Sequence, residues 1–155
     1  MKKVVDKLIK LNKTISTMES CTGGGVANAI TNIPGSSEIL KFSAVTYSNE
    51  YKIKMGVNPD IIDKYSVYSE ETAKEMSKNI SLFTNSDYGV GVTGKLCKID
   101  PNNPYGEDDV IYISIYIKNE DKYVDFKLNA IKDTREENKK YVIEQIENKL
   151  LEIIK

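Results

Sequence analysis

Hydrophobic positions recur with helical spacing in three parts of the chain. Helices are predicted over residues 2–11 and 135–154, and a third begins after Ser69. Ser69 is a typical N-cap, and the acids that follow it suit a first turn because the helix dipole favours negative charge there. The apolar residues expected to face the core on these helices are Val4, Val5, Leu8, Ile9, Ala73, Met76, Ile80, Phe83, Ile143, Ile146, Leu150 and Ile153.

Five shorter segments have the apolar composition of β-strands. Strands and helices alternate in the first part of the chain, which favours parallel pairing, and a late hairpin adds antiparallel strands. The pattern predicts one domain over residues 1–155, an α/β fold built as a three-layer α/β/α sandwich with a mixed β-sheet. The predicted strands are residues 14–18, 39–47, 88–93, 110–117 and 122–128, with further helical turns from Gly25 to about Thr31, over 51–55 and from Pro59.

Composition excludes several kinds of partner. The net charge of the 155 residues is −1, so nothing attracts the whole chain to nucleic acid or to an anionic membrane. No apolar run approaches the roughly 20 residues that span a bilayer, and the charged start does not resemble a signal peptide. We therefore expect a cytoplasmic protein in which Cys21 and Cys97 stay reduced, with no nucleic-acid or membrane partner.

The sequence contains no histidine. A Ser-His-Asp triad, a Cys-His dyad and an imidazole metal ligand are therefore excluded, and so is the usual general base near neutral pH. If the chain is an enzyme, lysine, tyrosine, acids, cysteine or a bound cofactor must transfer its protons. Two cysteines are too few for a zinc motif.

A predicted strand runs into Glu19-Ser20-Cys21-Thr22-Gly23-Gly24, and a helix follows. The first N–H groups of that helix are expected to be unpaired, which would make an anion or oxyanion site beside a nucleophile. Ser20 and Cys21 are both candidates, since a helix N-terminus lowers the pKa of a cysteine but cysteines are also commonly buried. The alternative is a turn whose glycines only ease packing.

Tyr47 and Lys52 lie five residues apart across a turn, where both can face one cleft. Without histidine, lysine is the natural base for a serine nucleophile. Such a lysine must first lose its proton, and burial or a neighbouring cation lowers the pKa of a lysine. The alternative is that Lys52 is one of many solvated lysines.

Two further segments are weaker candidates. Residues 89–96 fit Gly-x-x-x-x-Gly-Lys, but Leu96 stands where a phosphate-binding loop needs Ser or Thr. Thr93 and Gly94 are still expected at the end of a strand, where they can line a cleft. The acids of residues 107–109 have the chemistry to bind a hard cation, but a charged loop is the more common explanation, and no metal is predicted.

Several motifs together resemble the CinA C-terminal domain family, whose active members are nicotinamide-nucleotide amidases. The chain is similar to the stand-alone form, without the nucleotide-pyrophosphatase-like domain of long members. The motifs that carry the resemblance are Glu19-Ser20-Cys21-Thr22-Gly23-Gly24, Pro34-Gly35-Ser36-Ser37, Tyr47-Ser48-Asn49-Glu50-x-Lys52, Gly56-Val57, Ser69-Glu70-Glu71 and Gly91-Val92-Thr93-Gly94.

The resemblance implies hydrolysis of nicotinamide mononucleotide to nicotinic acid mononucleotide and ammonia, without metal or organic cofactor. It implies that Ser20 is the nucleophile and that Lys52 takes its proton, directly or through Tyr47. N–H groups around Thr22 and Gly23 would hold the oxyanion. The substrate-binding positions implied by the motifs are Glu19, Thr22, Gly23, Gly24, Asn49, Thr93, Gly94 and Arg135.

The chain departs from the family after Thr93-Gly94. The family continues with Ile-Ala-Gly-Pro and later Pro-Val-Gly-Thr-Val, whereas this chain has Lys95–Pro101 and Glu107–Val110, with Asp108 where glycine is expected. Arg135 matches a family arginine, and Lys139 holds a second basic position. An alternative function is therefore an inactive or substrate-shifted nucleotide-binding or regulatory protein.

A homo-oligomer is also expected, because a second subunit would cover the apolar face of the last helix and the exposed edge of the predicted hairpin.

Overall fold

A computed structural model of the chain describes residues 1–96 and 107–155. Cys97, Pro101 and Pro104, which the sequence assigns to a polar loop, lie outside the described residues. The described α-helices and β-strands, in chain order, are α1 (Lys2–Leu11), β1 (Ile15–Glu19), α2 (Gly25–Thr31), β2 (Leu40–Val45), α3 (Asn49–Lys54), α4 (Pro59–Tyr65), α5 (Glu70–Thr84), β3 (Tyr88–Gly94), β4 (Val110–Ile117), β5 (Lys122–Asn129) and α6 (Arg135–Ile153).

The strands form one mixed sheet in the order β2-β1-β3-β4-β5. β2, β1 and β3 are mutually parallel, and β4 and β5 continue the sheet in antiparallel pairs. The carboxyl ends of the three parallel strands therefore meet at one edge. Ser20, Thr46 and Lys95 are the first residues after β1, β2 and β3, and this edge is where open α/β sheets usually bind ligands.

Helices cover both faces of the sheet. α1, α2 and α6 contribute Leu8, Val26 and Ile146 to a core on one face. On the other face Met18 of β1 packs with Met76 of α5 and with residues from the α3–α4 region. The predicted three-layer α/β/α sandwich with a mixed sheet is confirmed. In the described residues no helix is both long enough and apolar enough to cross a membrane.

α5 lies unusually close to β3. A Cβ atom at Gly89 would stand 2.0 Å from the Ser77 carbonyl oxygen, and one at Gly91 would stand 2.3 Å from that of Ala73. Larger residues at either position would therefore push the helix off the sheet. These two glycines lie inside the strand and serve packing, which explains the false match to a phosphate-binding loop.

Two expectations about helix faces need correction. Phe83 is 68% exposed and packs against Phe42 of the edge strand β2, with ring centroids 5.5 Å apart. Helical spacing alone cannot show where the sheet beneath a helix ends. The apolar face of α6 is already covered, because Val142, Ile146 and Leu150 are buried in the core. A second subunit is therefore not needed to cover α6.

Candidate active site

Ser20 and Lys52 are in direct contact at the carboxyl edge of the sheet. The Nζ atom of Lys52 donates to Ser20 Oγ at 3.1 Å and to the Thr46 carbonyl oxygen at 2.7 Å. Ser20 is held in place because its N–H donates to the Val92 carbonyl of β3 at 2.9 Å. Ser20 is 7% exposed and Lys52 is 2% exposed, so the pair is shielded from bulk water.

α3 turns Lys52 inward. Ser48 caps the helix by accepting a hydrogen bond from the Tyr51 N–H. Within α3, Lys52 alone is buried, whereas Lys54 is solvent-exposed and pairs with Glu50 one turn earlier. The structure therefore contradicts the view that Lys52 is an ordinary solvated lysine.

Tyr47 lies at the rim of the site. Its side chain is 63% exposed, and its hydroxyl accepts a hydrogen bond from Arg135 Nη2 at 3.2 Å. Within the described residues this hydroxyl makes no hydrogen bond to Ser20 Oγ. The contact with Arg135 instead ties the end of β2 to the first residue of α6.

The expectation of an unoccupied helix N-terminus is wrong. The Glu19 carboxylate accepts the N–H groups of Val26 and Ala27 in the first turn of α2, at 3.0 and 2.8 Å. It also accepts the hydroxyls of Thr17 and Thr22, at 3.0 and 2.7 Å. Glu19 comes from the end of the preceding strand, so the chain fills its own anion site with a carboxylate.

The turn after Ser20 still offers backbone donors. Gly23 and Gly24 have φ values of 61° and 88°, which glycine adopts readily. The Gly23 N–H is not available to a ligand, because it donates to the Ser20 carbonyl at 2.9 Å. Among the described residues the N–H groups of Thr22 and Gly24 have no acceptor, so Thr22 stays a candidate oxyanion donor and Gly24 takes the place of Gly23.

Three side chains implied to bind substrate instead make bonds inside the protein. Glu19 and Thr22 bond to each other, as above, and both are buried. Thr93 is fully buried, and its hydroxyl donates to the Val67 carbonyl at 2.9 Å. Gly94 is also buried, since a Cβ there would stand 2.5 Å from the Val110 carbonyl oxygen. Asn49, at the start of α3, is half-buried.

The structure separates the two candidate nucleophiles. Cys21 is 4% exposed and belongs to the core around α2. Burial raises the pKa of its thiol from 9.0 to about 12, and the opposing attraction of Lys52 and Arg135 does not offset this. The thiolate is the reactive form of cysteine, so these surroundings favour Ser20.

Two cations of α6 face the turn that follows Ser20. The Lys139 ammonium lies 3.3 Å from the point where a Cβ on Gly23 would stand. Lys139 makes no hydrogen bond or ion pair with any residue that the structure describes. Arg135 lies four residues earlier, which is the helical spacing of neighbours on one face. That spacing is the sequence feature by which this basic pair can be found.

Lys95 and Asp108, which lie in the two segments where the sequence departs from the motifs of the resemblance, form an ion pair with each other. Lys95 Nζ lies 3.1 Å from Asp108 Oδ1 and 5.1 Å from the centre of the Tyr68 ring. Lys95 is 4% exposed. At Asp108, where the resemblance leads us to expect glycine, Lys95 is therefore a counterion that partly neutralises the negative charge.

Sequence reasoning missed Thr46. This residue is 2% exposed, and its hydroxyl has no hydrogen-bond partner in the described part of the chain. Its carbonyl oxygen is the second acceptor of Lys52 Nζ. Only its place between β2 and Tyr47 pointed toward the site.

Comparison with known proteins supports the family that the sequence motifs indicate. Residues 1–154 match the family model described as the CinA C-terminal domain. A CinA-like protein of Endomicrobium trichonymphae is 49% identical over 88 residues, which cover 56% of this chain and 21% of that protein. A protein of Clostridium kluyveri described as competence-damage inducible is 39% identical over 127 residues, 81% of this chain and 31% of that protein. The chain thus spans less than a third of these curated relatives.

Solved structures share the fold. A CinA superfamily protein of Klebsiella pneumoniae superposes with a TM-score of 0.89 at 19% identity, covering 99% of this chain and 94% of that one. A competence/damage inducible protein of Agrobacterium tumefaciens gives 0.86 at 24% identity, covering 96% and 90%. With its family model matched over residues 1–154, this chain belongs to the CinA C-terminal domain family.

Proposed function

We propose that this chain is an amidohydrolase that converts nicotinamide mononucleotide to nicotinic acid mononucleotide and ammonia. The observation that carries the proposal is the buried contact of 3.1 Å between Lys52 Nζ and Ser20 Oγ. A buried amine beside a serine hydroxyl is the arrangement that a histidine-free hydrolase needs. The family resemblance supplies the substrate.

In the first half-reaction Ser20 Oγ attacks the carboxamide carbon while neutral Lys52 takes the hydroxyl proton. Lys52 acts in this step in its uncharged form, since only that form has a lone pair that can accept a proton. The C–N bond then breaks, and Lys52 returns the proton to the leaving nitrogen, which departs as ammonia. An ester between Ser20 and the nicotinoyl group remains.

In the second half-reaction water attacks this ester, and Lys52 takes a proton from the water. The bond to Ser20 Oγ breaks, the proton returns to Ser20, and the carboxylic acid leaves. The N–H groups of Thr22 and Gly24 are the proposed donors to the oxyanion in both halves. The residues alone carry these steps, which require no metal or organic cofactor.

The phosphate of the substrate is proposed to bind the α6 cations. Glu19 already occupies the N-terminus of α2, so a phosphate there would meet a carboxylate. Arg135 and Lys139 provide positive charge next to the Gly23 turn. Tyr47, which contacts Arg135, adds a hydroxyl at the same rim.

The test is ammonia release from nicotinamide mononucleotide by the purified chain. We expect Ser20→Ala to lower kcat by at least about a thousandfold, because the nucleophile is lost. Lys52→Met should lower it by at least about a hundredfold, because proton transfer is lost. Rapid quenching should trap the ester on Ser20, which mass spectrometry can locate.

Lys54→Met is the matched control, since it removes an exposed lysine two residues away on the same helix. We expect it to keep the wild-type rate. Equal turnover in the wild type, Ser20→Ala and Lys52→Met would contradict the proposed roles of both residues.

A nucleotide-binding or regulatory protein without turnover is the second candidate. The Lys95–Asp108 pair favours this second candidate. The pair puts bulky, charged side chains where the resemblance leads us to expect small residues. Bound nucleotide raises the melting temperature by mass action whether or not it is hydrolysed. Stabilisation by nicotinamide mononucleotide without ammonia release would support this candidate over the amidase.

A further inference from the structure

Thr46 is buried beside the Ser20–Lys52 pair with an unused hydroxyl. Its carbonyl accepts from Lys52 Nζ at 2.7 Å, and its N–H donates to the Glu19 carbonyl at 2.8 Å. The hydroxyl oxygen has no hydrogen-bond partner in the described residues. Buried side-chain polar groups are normally hydrogen-bonded, so an unpaired one beside a reactive pair calls for an explanation.

The strand geometry directs Thr46 toward the layer that holds Lys52. Val45 faces α2, since its Cγ2 atom is 3.3 Å from the point where a Cβ on Gly24 would stand. Ala44 packs on the opposite face with Met18 and Val57. Side chains alternate along a strand, so Thr46 shares the face of Ala44, from which α3 presents Lys52.

We infer that the Thr46 hydroxyl is the hydrogen-bond partner of the nitrogen of the scissile carboxamide. The inference rests on the proposed function, in which Lys52 delivers a proton to that nitrogen. The leaving nitrogen must come close to Lys52 Nζ, and the backbone carbonyl of Thr46 accepts a hydrogen bond from this amine at 2.7 Å, which puts the Thr46 side chain next to the same space. A hydroxyl there accepts an N–H of the carboxamide, which makes Thr46 a specificity residue for amides.

The test compares two ligands that differ at one group. Nicotinamide mononucleotide carries the NH₂, and its 3-acetylpyridine analogue carries a methyl group in the same place. Affinities are measured by calorimetry in a Ser20→Ala background, so that the amide is not consumed. The Thr46→Val change should weaken binding of the amide about tenfold, the loss of one hydrogen bond, and binding of the acetyl analogue by less than about twofold.

Three comparisons isolate the hydroxyl. Thr46→Ser keeps the hydroxyl and should keep the preference for the amide. Thr31→Val makes the same chemical change on the exposed end of α2 and should alter neither affinity. The melting temperature of Thr46→Val should be equal to or above that of the parent, because the lost hydroxyl had no partner in the unbound protein.

Equal weakening of both ligands, or no weakening of either, would overturn the inference; in the second case the hydroxyl binds water only. Ammonia release by the wild-type chain is measured separately. Turnover with an unchanged ligand preference would refute the role of Thr46 alone. A Thr46-dependent preference without turnover would uphold that role and refute the proposed hydrolysis, and binding of neither ligand to the wild type would refute both.

Discussion

Ser20 and Cys21 are neighbours in the sequence with opposite environments. The Ser20 hydroxyl accepts a hydrogen bond from the amine of Lys52. The Cys21 thiol is instead buried among apolar side chains, and this burial raises its pKa to about 12. A rise from 9.0 to about 12 lowers the thiolate fraction at neutral pH by about a thousandfold. Adjacent positions at the end of a strand thus differ in reactivity because their side chains leave on opposite sides.

We therefore predict that Cys21 is unreactive in the native protein. Alkylation by iodoacetamide, followed by peptide mapping, should label Cys21 at least about a hundredfold more slowly in buffer than in urea. Cys21→Ala should retain wild-type turnover of the amide. Fast native labelling of the Cys21 peptide, or loss of turnover in Cys21→Ala, would instead support a cysteine nucleophile.

At the scale of elements, the turn between β1 and α2 depends on Glu19. Each carboxylate oxygen of Glu19 accepts one backbone N–H of α2 and one threonine hydroxyl. A hydroxyl can rotate to become an acceptor, but a backbone N–H cannot. If glutamine replaced Glu19, its NH₂ group would therefore always face one of these two backbone N–H groups, and two donors would be left opposite each other.

We predict that Glu19→Gln lowers the free energy of unfolding by about 2 kcal/mol, the cost of leaving one buried donor unpaired. Glu38→Gln is the control, because Glu38 is exposed and should change stability by less than about 0.5 kcal/mol. Urea unfolding monitored by circular dichroism measures both. Equal stability of the two variants would show that the carboxylate is dispensable to the turn.

The elements were largely predictable, and the directions of their side chains were not. Helical and strand periodicity located the elements, and the motifs brought Ser20 and Lys52 into one proposal. Whether the Thr93 side chain reaches the cleft depends on how the segment between α4 and α5, which holds its acceptor Val67, meets β3, and no local pattern encodes this. In the same way, the angle between β1 and α2 decides whether the Glu19 carboxylate can accept the N–H groups at the start of α2, and the sequence pattern does not encode that angle.

At the scale of the whole molecule, stability and chemistry lie at opposite ends of the same strands. Ser20 is at the carboxyl end of β1, whereas Asp87 precedes β3 at the other end. The Asp87 carboxylate accepts the N–H and hydroxyl of Thr14 and an ammonium proton of Lys13. Although burial opposes the change, these hydrogen bonds hold the pKa of Asp87 below its ordinary value of 3.8.

A carboxyl whose pKa is lower in the folded state stabilises the fold above its unfolded pKa, and that stability is lost as the pH falls through the folded value. We predict that Asp87→Asn is less stable than the wild type at pH 7 and that the difference shrinks below about pH 3.9. Turnover at pH 7 should be unchanged, because the site is at the far edge. Denaturant unfolding across this pH range, with an activity assay, measures both; a constant stability difference would refute the linkage.

Occupation of the α2 N-terminus by Glu19 also determines how the proposed site would respond to salt. A phosphate bound to buried backbone N–H groups would be little affected by ionic strength. Here the remaining positive charge belongs to exposed Arg135 and half-buried Lys139, and such charges are screened over about 10 Å at 0.1 M salt. Capture of an anionic substrate at this surface would therefore weaken as salt rises, while the chemistry at Ser20, enclosed below it, would not.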